Sequence, residues 1–328
     1  MAIYHLSMKA IARSGGRSAV AAAAYRAAAR LTNERDGMTH DFTNKKGVEH
    51  AEIVLPAEVS ADWAMKRSVL WNAAERAEKR SDARIAREFE IALPHELNPD
   101  QRLALTRALA QHLANRYGTA VDFAIHQPDV KSDLRNCHAH LMMTTREVRE
   151  CGLGDKTLLE RENRWLLANH MLPSQLQLQE LRQAWEHLAN RHLAKASVDV
   201  RIDHRSHVEA GLTIEPTEHV GVHATQIGRQ GGQVSRARIA PQSADRNAET
   251  IRRRPEEILK LITNEKSVFN RYDIARALHR YINDDPQTFQ NAFASVMSSK
   301  ALVELKPETA DRGGSGEARY STMEMVAI

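Results

Sequence analysis

Four short segments of this chain alternate apolar and polar residues with a period of two, and their polar sides share one chemistry. In REFEIALP, Phe89, Ile91 and Leu93 fall on one side and Glu88, Glu90 and Ala92 on the other. In AVDFAIH the split is Val121, Phe123 and Ile125 against Asp122, Ala124 and His126. NCHAHLMMTTR sets His138, His140 and Met142 together, and AIYHLSMKAI sets His5, Ser7 and Lys9 opposite Tyr4, Leu6 and Met8. Successive side chains of a strand point to opposite faces, so this alternation marks half-buried strands. Paired into one sheet, they need a helical layer on the apolar face. The opposite face then gathers His5, Glu88, Glu90, Asp122, His126, His138 and His140.

The intervening segments read as helices. Ser18 caps AVAAAAYRAAARL, where alanine gives high helix propensity. Ser60 opens SADWAMKRSVLWNAAERAEKR, with Trp63 and Trp71 on its buried side. NPDQRLALTRALAQHLANRYG has a cap at Asn98, proline in its first turn and Gly118 at its end. Residues 31–50 are polar and read as loop, and AEIVLP as a short strand. The order β, α, β, α, β, α, β, β predicts an α+β domain: a central antiparallel sheet with helices on one face. Residues from about 145 to 195 read as helical, and VDVRIDHRSHVEAGLTIEPTEHVG as irregular and strand-containing. The predicted organisation is a first domain over residues 1–227, a flexible basic linker over 228–254, and a small helical, winged-helix-like module over 255–328.

Composition removes several classes. Hydrophobic residues make up 42% and charged residues 27% of the 328, as in ordinary globular proteins. Two cysteines, Cys137 and Cys151, exclude a disulfide scaffold and fit a reducing cytoplasm. The N-terminus lacks the apolar core of a signal peptide, and no apolar run reaches the length of a membrane span. The net charge of +4 leans towards an anionic partner such as nucleic acid.

On one strand His138 and His140 project from the same face, and His126 joins them from a neighbouring strand. Three imidazoles with open positions are the ligand set of a catalytic divalent metal; the alternative is a set of surface or satisfied core histidines. Cys137 alternates to the opposite face, which disfavours a four-ligand structural zinc. Tyr25, with small neighbours and arginines at 13, 17, 26 and 30, is the candidate nucleophile; the alternative is packing. Arg13 and Arg17 are candidate phosphate contacts near the strand–helix turn, and Arg201 and Arg205 candidate DNA-strand clamps. Asp122 is a candidate general base.

Taken together, MAIYHLSMKAIARSGGRSAVAAAAYRA, AREFEIALPHEL and NCHAHLMMTTR resemble the MobA/MobL family of conjugative relaxases, over roughly residues 1–230. NRWL, LRQAWEHLAN and IDHRSHVEAGLTIEPTEHVG extend the likeness. The resemblance implies the palm of an HUH endonuclease, nicking one strand of transfer-origin DNA by tyrosine transesterification in the bacterial cytoplasm. It assigns Tyr25 as nucleophile, His126, His138 and His140 as ligands of a divalent ion such as Mg²⁺ or Mn²⁺, and Glu88 and Glu90 as the acidic pair. Single-stranded or hairpin DNA, relaxosome accessory proteins and a type IV secretion coupling protein are the implied partners. The final RYSTMEM resembles the junction before a helicase region, so the chain reads as an N-terminal piece of a relaxase–helicase. A rolling-circle replication initiator with the same chemistry, or a non-catalytic DNA-binding protein with a structural histidine site, are the alternatives.

Overall fold

In a computed structural model of the chain, the alternating segments become adjacent strands. Described are residues 4–128, 135–217, 239, 241–282, 285–306, 309–311 and 314–327. They fall into two compact units, Met1–Val198 and Asp199–Ile328. In the first, the strands are β1 (Leu6–Ala12), β2 (Arg30–Thr32), β3 (Thr39–Asp41), β4 (Val48–Val54), β5 (Arg84–Ala92), β6 (Val121–His126) and β7 (His138–Thr144). Five of them form one antiparallel sheet in the order β1-β5-β7-β6-β4.

The register puts the expected residues on one face. His126 lies opposite His138, His140 lies between Ala124 and Glu90, and Met142 lies between Asp122 and Glu88. On the other face Phe89, Ile91, Phe123, Ile125 and Leu141 are buried. Helix α3 (Pro99–Tyr117) covers that face, and its Arg107 pairs with Glu52 on the Phe123 side of β4. The α3 ends are as read: Asn98 and Gln101 form a capping box, Pro99 is the first helical residue and Gly118 closes the helix at φ +66.

The histidine face is itself divided along the strands. Towards one end it carries Ile11, Ile53, Ala86 and Met142, which pack under α1 (Ala19–Arg26) and α2 (Arg67–Ala77). Helices therefore lie on both faces, because this half of the polar-looking face is apolar and must be covered. The other half carries the imidazoles and Glu88.

Local differences from the sequence reading have local causes. Ser18 caps α1 as expected, accepting from the Ala21 N–H at 3.3 Å, but the helix stops at Arg26 rather than running to Leu31. Ala28 takes a left-handed φ of 50°, and Arg30–Thr32 pairs with Thr39–Asp41 as a hairpin inside the expected loop. The expected Ser60 cap is replaced by a 3-10 turn at Asp62–Met65 ahead of α2. A second hairpin, β8 (Arg146–Arg149) and β9 (Gly152–Lys156), precedes α4 (Asn163–Ala168) and α5 (Ser174–Lys195) in the stretch read as helical.

In the second unit, residues 199–217 form turns, without the expected strand. The expected linker is helical in its second half. Helix α6 (Pro241–Arg253) buries Ala244, Asn247 and Ile251 and carries pairs from Glu249 to Arg252 and Arg253, so spacing and ion pairs hold a helix that composition alone obscures. Residues 218–238 and 240 lie outside the described residues. Helices α7 (Glu256–Glu265), α8 (Arg271–Tyr281) and α9 (Pro286–Met297) surround a core of Ile258, Ile262, Phe269, Ile274, Leu278 and Val296. Strand β10 (Leu302–Lys306) pairs with β13 (Arg319–Thr322), and the short β11 (Thr309–Asp311) and β12 (Gly314–Gly316) pair between them. Phe269 bridges Tyr320 as a further strand contact, and α10 (Met323–Val326) follows.

Candidate active site

The three imidazoles form one cluster. Ring centroids are 5.4 Å apart for His126 and His138, 4.9 Å for His126 and His140, and 5.1 Å for His138 and His140. One nitrogen from each lies within 4.8 Å of the others, so a single ion is within reach of all three. Each ring is held by its remaining nitrogen. His126 Nε2 donates to the Arg26 carbonyl at 2.7 Å, His138 Nδ1 to the Asn136 carbonyl at 3.1 Å, and His140 Nδ1 to Glu88 Oε1 at 2.8 Å. Carbonyls and carboxylates accept, so these bonds fix the tautomers and leave the second nitrogen of each ring with a lone pair. Burial lowers His126 to about 4 and also lowers His138, with neighbouring positive charge adding to the effect. Both rings are neutral at pH 7, as metal ligation requires. The residues fit a divalent cation.

Glu88 and Glu90 have different settings. Burial alone pushes the Glu88 carboxyl up, but hydrogen bonds from His140 and Arg26 outweigh it and bring it down to about 2. Its Oε1 takes Arg26 Nε at 2.5 Å as well as His140. Glu88 is thus an ionised second partner that orients His140 and tethers α1. Glu90 is less buried and pairs with Lys9 at 3.1 Å.

Tyr25 is 49% exposed at the end of α1, so its phenol is open to a ligand. Phe42 meets its ring edge-on with centroids 5.2 Å apart. Lys45 Nζ lies 3.8 Å from the ring centroid and donates to the Tyr25 carbonyl at 3.0 Å. The last carbonyls of a helix have no partner within it. Ending α1 at Arg26 leaves the Tyr25 carbonyl for Lys45 and the Arg26 carbonyl for His126, which joins the helix that carries Tyr25 to the triad. Phe42, Lys45 and the double role of Arg26 carried no signal in the sequence beyond the adjacency of Tyr25 and Arg26.

Other candidates have structural duties. Asp122 is buried and accepts from Arg67 Nε and Nη2 and from Trp71 Nε1, each at 2.8 Å. Its oxygens are committed to holding α2. Arg13 is buried, pairs with Glu75 at 2.9 Å and donates to the carbonyls of Glu75, Glu78 and Arg80; it clamps α2 and is not available to phosphate. Glu75 also accepts from the Ala19 N–H at the start of α1. Arg17 is exposed just before α1, at the opposite end of the helix from Tyr25. Arg201 and Arg205 belong to the second unit, where Arg205 is paired with Asp203 at 2.7 Å and Arg201 donates to the Val200 carbonyl at 2.7 Å.

This sheet, with an imidazole triad on one face and an exposed tyrosine on the first helix, defines a class of α+β proteins with a histidine cluster that could hold a metal ion. The profile of the MobA/MobL family matches residues 17–230, and the chain belongs to that family. It is 36% identical to the conjugal transfer protein TraA of Rhizobium radiobacter over its whole length, which is 32% of that protein. It is 41% identical to the mobilization protein MobL of Acidithiobacillus ferridurans, over 73% of this chain and 67% of that one. The chain thus spans about a third of the length of the TraA relatives it matches. A solved structure described as the molecular basis of vancomycin resistance transfer in Staphylococcus aureus superposes with a TM-score of 0.53 at 30% identity, over 62% of this chain and 100% of that one. No helix among the described residues is long and apolar enough to cross a membrane.

Proposed function

We propose that the chain carries the nicking domain of a conjugative relaxase, cutting and resealing one strand of transfer-origin DNA in the bacterial cytoplasm. The observation that carries this reading is the chain of contacts from Tyr25 through Arg26 to His126, and from Arg26 through Glu88 to His140. It ties the residue next to the exposed Tyr25 to the histidine cluster, and so brings the end of α1 to the place where a phosphodiester would be attacked.

In this reading the Tyr25 hydroxyl attacks the scissile phosphorus and loses its proton as the new P–O bond forms. The bond to O3′ breaks, and O3′ takes up a proton. The products are a 5′-phosphotyrosyl protein and a free 3′-hydroxyl; the reverse reaction reseals the strand, because the phosphodiester bond energy is kept. A divalent cation such as Mg²⁺ or Mn²⁺, held by His126, His138 and His140, supplies Lewis-acid stabilisation of the phosphoryl oxygens. Glu88 orients His140 and Arg26, and is too acidic to act as an efficient base near neutral pH. Glu90 shapes the rim with Lys9. Arg17 and the second unit's Arg201 and Arg205 are proposed DNA contacts beyond the metal site. Residues 1–227 are proposed as the nicking domain and 255–328 as an appended winged-helix-like module. Relaxosome accessory proteins and a type IV coupling protein are the proposed partners. The names of the TraA and MobL relatives support this direction.

The test is a denaturing gel after incubation with single-stranded transfer-origin oligonucleotide and Mn²⁺. A covalent protein–DNA band is expected for the wild type, lost in Tyr25→Phe and on chelation. Cleavage that persists unchanged in Tyr25→Phe removes Tyr25 from this role, and preference for a replication origin over a transfer origin favours an initiator instead.

A further inference from the structure

Lys45 sits where a cation is expensive. Burial and the charge of Arg26 hold it down to about 8, and its own charge bears on His126 and His138. Its ammonium donates to the Tyr25 carbonyl, and among the described residues no carboxylate pairs with it. A half-buried ammonium beside another cation, without a counter-ion, works against stability. Its place against the Tyr25 ring is nevertheless well defined, with the ring face on Lys45 and Phe42 meeting the ring edge-on. An anion brought to the phenol supplies the missing partner.

We propose that Lys45 is the positioning residue of the nucleophile: its ammonium seats the Tyr25 ring for attack and keeps a cation beside the phenol where the phosphodiester charge arrives. This rests on the transesterification reading above. A cation over an aromatic face is attracted to it, and more strongly when desolvated. The same cation favours the anionic transition state over the resting phenol. Lys45 thus couples ring placement to substrate charge without being a metal ligand.

The experiment is single-turnover adduct formation by the full chain with Mn²⁺, measured across oligonucleotide concentration for wild type, Lys45→Met and Lys45→Arg. The plateau rate is expected to fall about tenfold or more in Lys45→Met while the half-saturating DNA concentration moves less than about threefold. Lys45→Arg, which keeps the charge and stacks on aromatic faces, is expected to recover most of the rate. A Lys45→Met plateau equal to wild type overturns the proposal. So does a loss confined to the half-saturating concentration, which makes Lys45 an ordinary DNA contact. Both results leave the Tyr25-dependent adduct of the wild type standing; its absence overturns the transesterification reading and this proposal together.

Discussion

Each imidazole of the triad spends one nitrogen on a backbone or carboxylate partner, which leaves the other with a lone pair for an ion. That arrangement has a cost that pH reveals. His126 titrates near 4 when folded because it is buried, against about 6.5 for a free imidazole. Between those values the unfolded chain binds more protons than the folded one, so stability falls as pH falls through that window. The loss is about 3 kcal/mol at most for His126, and His138 shifts in the same direction. Glu88 acts in a lower window: its contribution is present above the usual carboxylate range and is lost as pH falls towards about 2. Chemical denaturation of metal-free protein at pH 7.5 and 4.5 is expected to show the loss, reduced in His126→Asn. Equal pH dependence in the two proteins contradicts it. The three histidines were legible in the sequence because a strand's period of two leaves no freedom in which face they take. The duties of Arg13 and Asp122 were not, since the type of a charged residue does not say whether its partner is a phosphate or a buried guanidinium.

Among the elements, α1 decides how Tyr25 and the triad meet, and it does so by ending early. Its alanines favour continuation through Leu31, and nothing local in AAARL marks a stop. The termination is tertiary: Lys45, His126 and the hairpin of Arg30–Thr32 with Thr39–Asp41 take up what a longer helix would have bonded within itself. The α3 boundaries, by contrast, were fully legible, because Asn98, Pro99 and Gly118 carry their own stereochemistry. Helix α2 is held to the sheet by Asp122, which binds Arg67 and Trp71 together. Asp122→Asn keeps the shape but leaves the Arg67 charge uncompensated, an expected loss of about 2–4 kcal/mol in unfolding free energy. The adduct rate at saturating DNA, measured well below the unfolding midpoint, is expected to stay within about threefold of wild type. A hundredfold slower adduct with unchanged stability would instead restore Asp122 as a base.

For the molecule as a whole, the organising fact is that one sheet face is divided in two. Ile11, Ile53, Ala86 and Met142 anchor α1 and α2 at one end, and the same strands deliver His126, His138, His140 and Glu88 at the other. The hydrophobic half thereby fixes the position of the histidine half. The sheet was legible from alternation; the second helical layer was not, because apolar and polar residues share that face and period two does not separate them. The second unit was legible as helices, but α6 was hidden by its arginines and turn-forming residues. The central claim is that Tyr25 is the residue that becomes joined to DNA at this metal-dependent site. Its most direct test is proteolysis and mass spectrometry of the covalent adduct formed by the full chain with Mn²⁺. The nucleotide mass is expected on the peptide from Ser18 to Arg26, at Tyr25, and to be absent after chelation of the metal. A modified residue anywhere else, or strand cleavage with no attached nucleotide, would contradict the account.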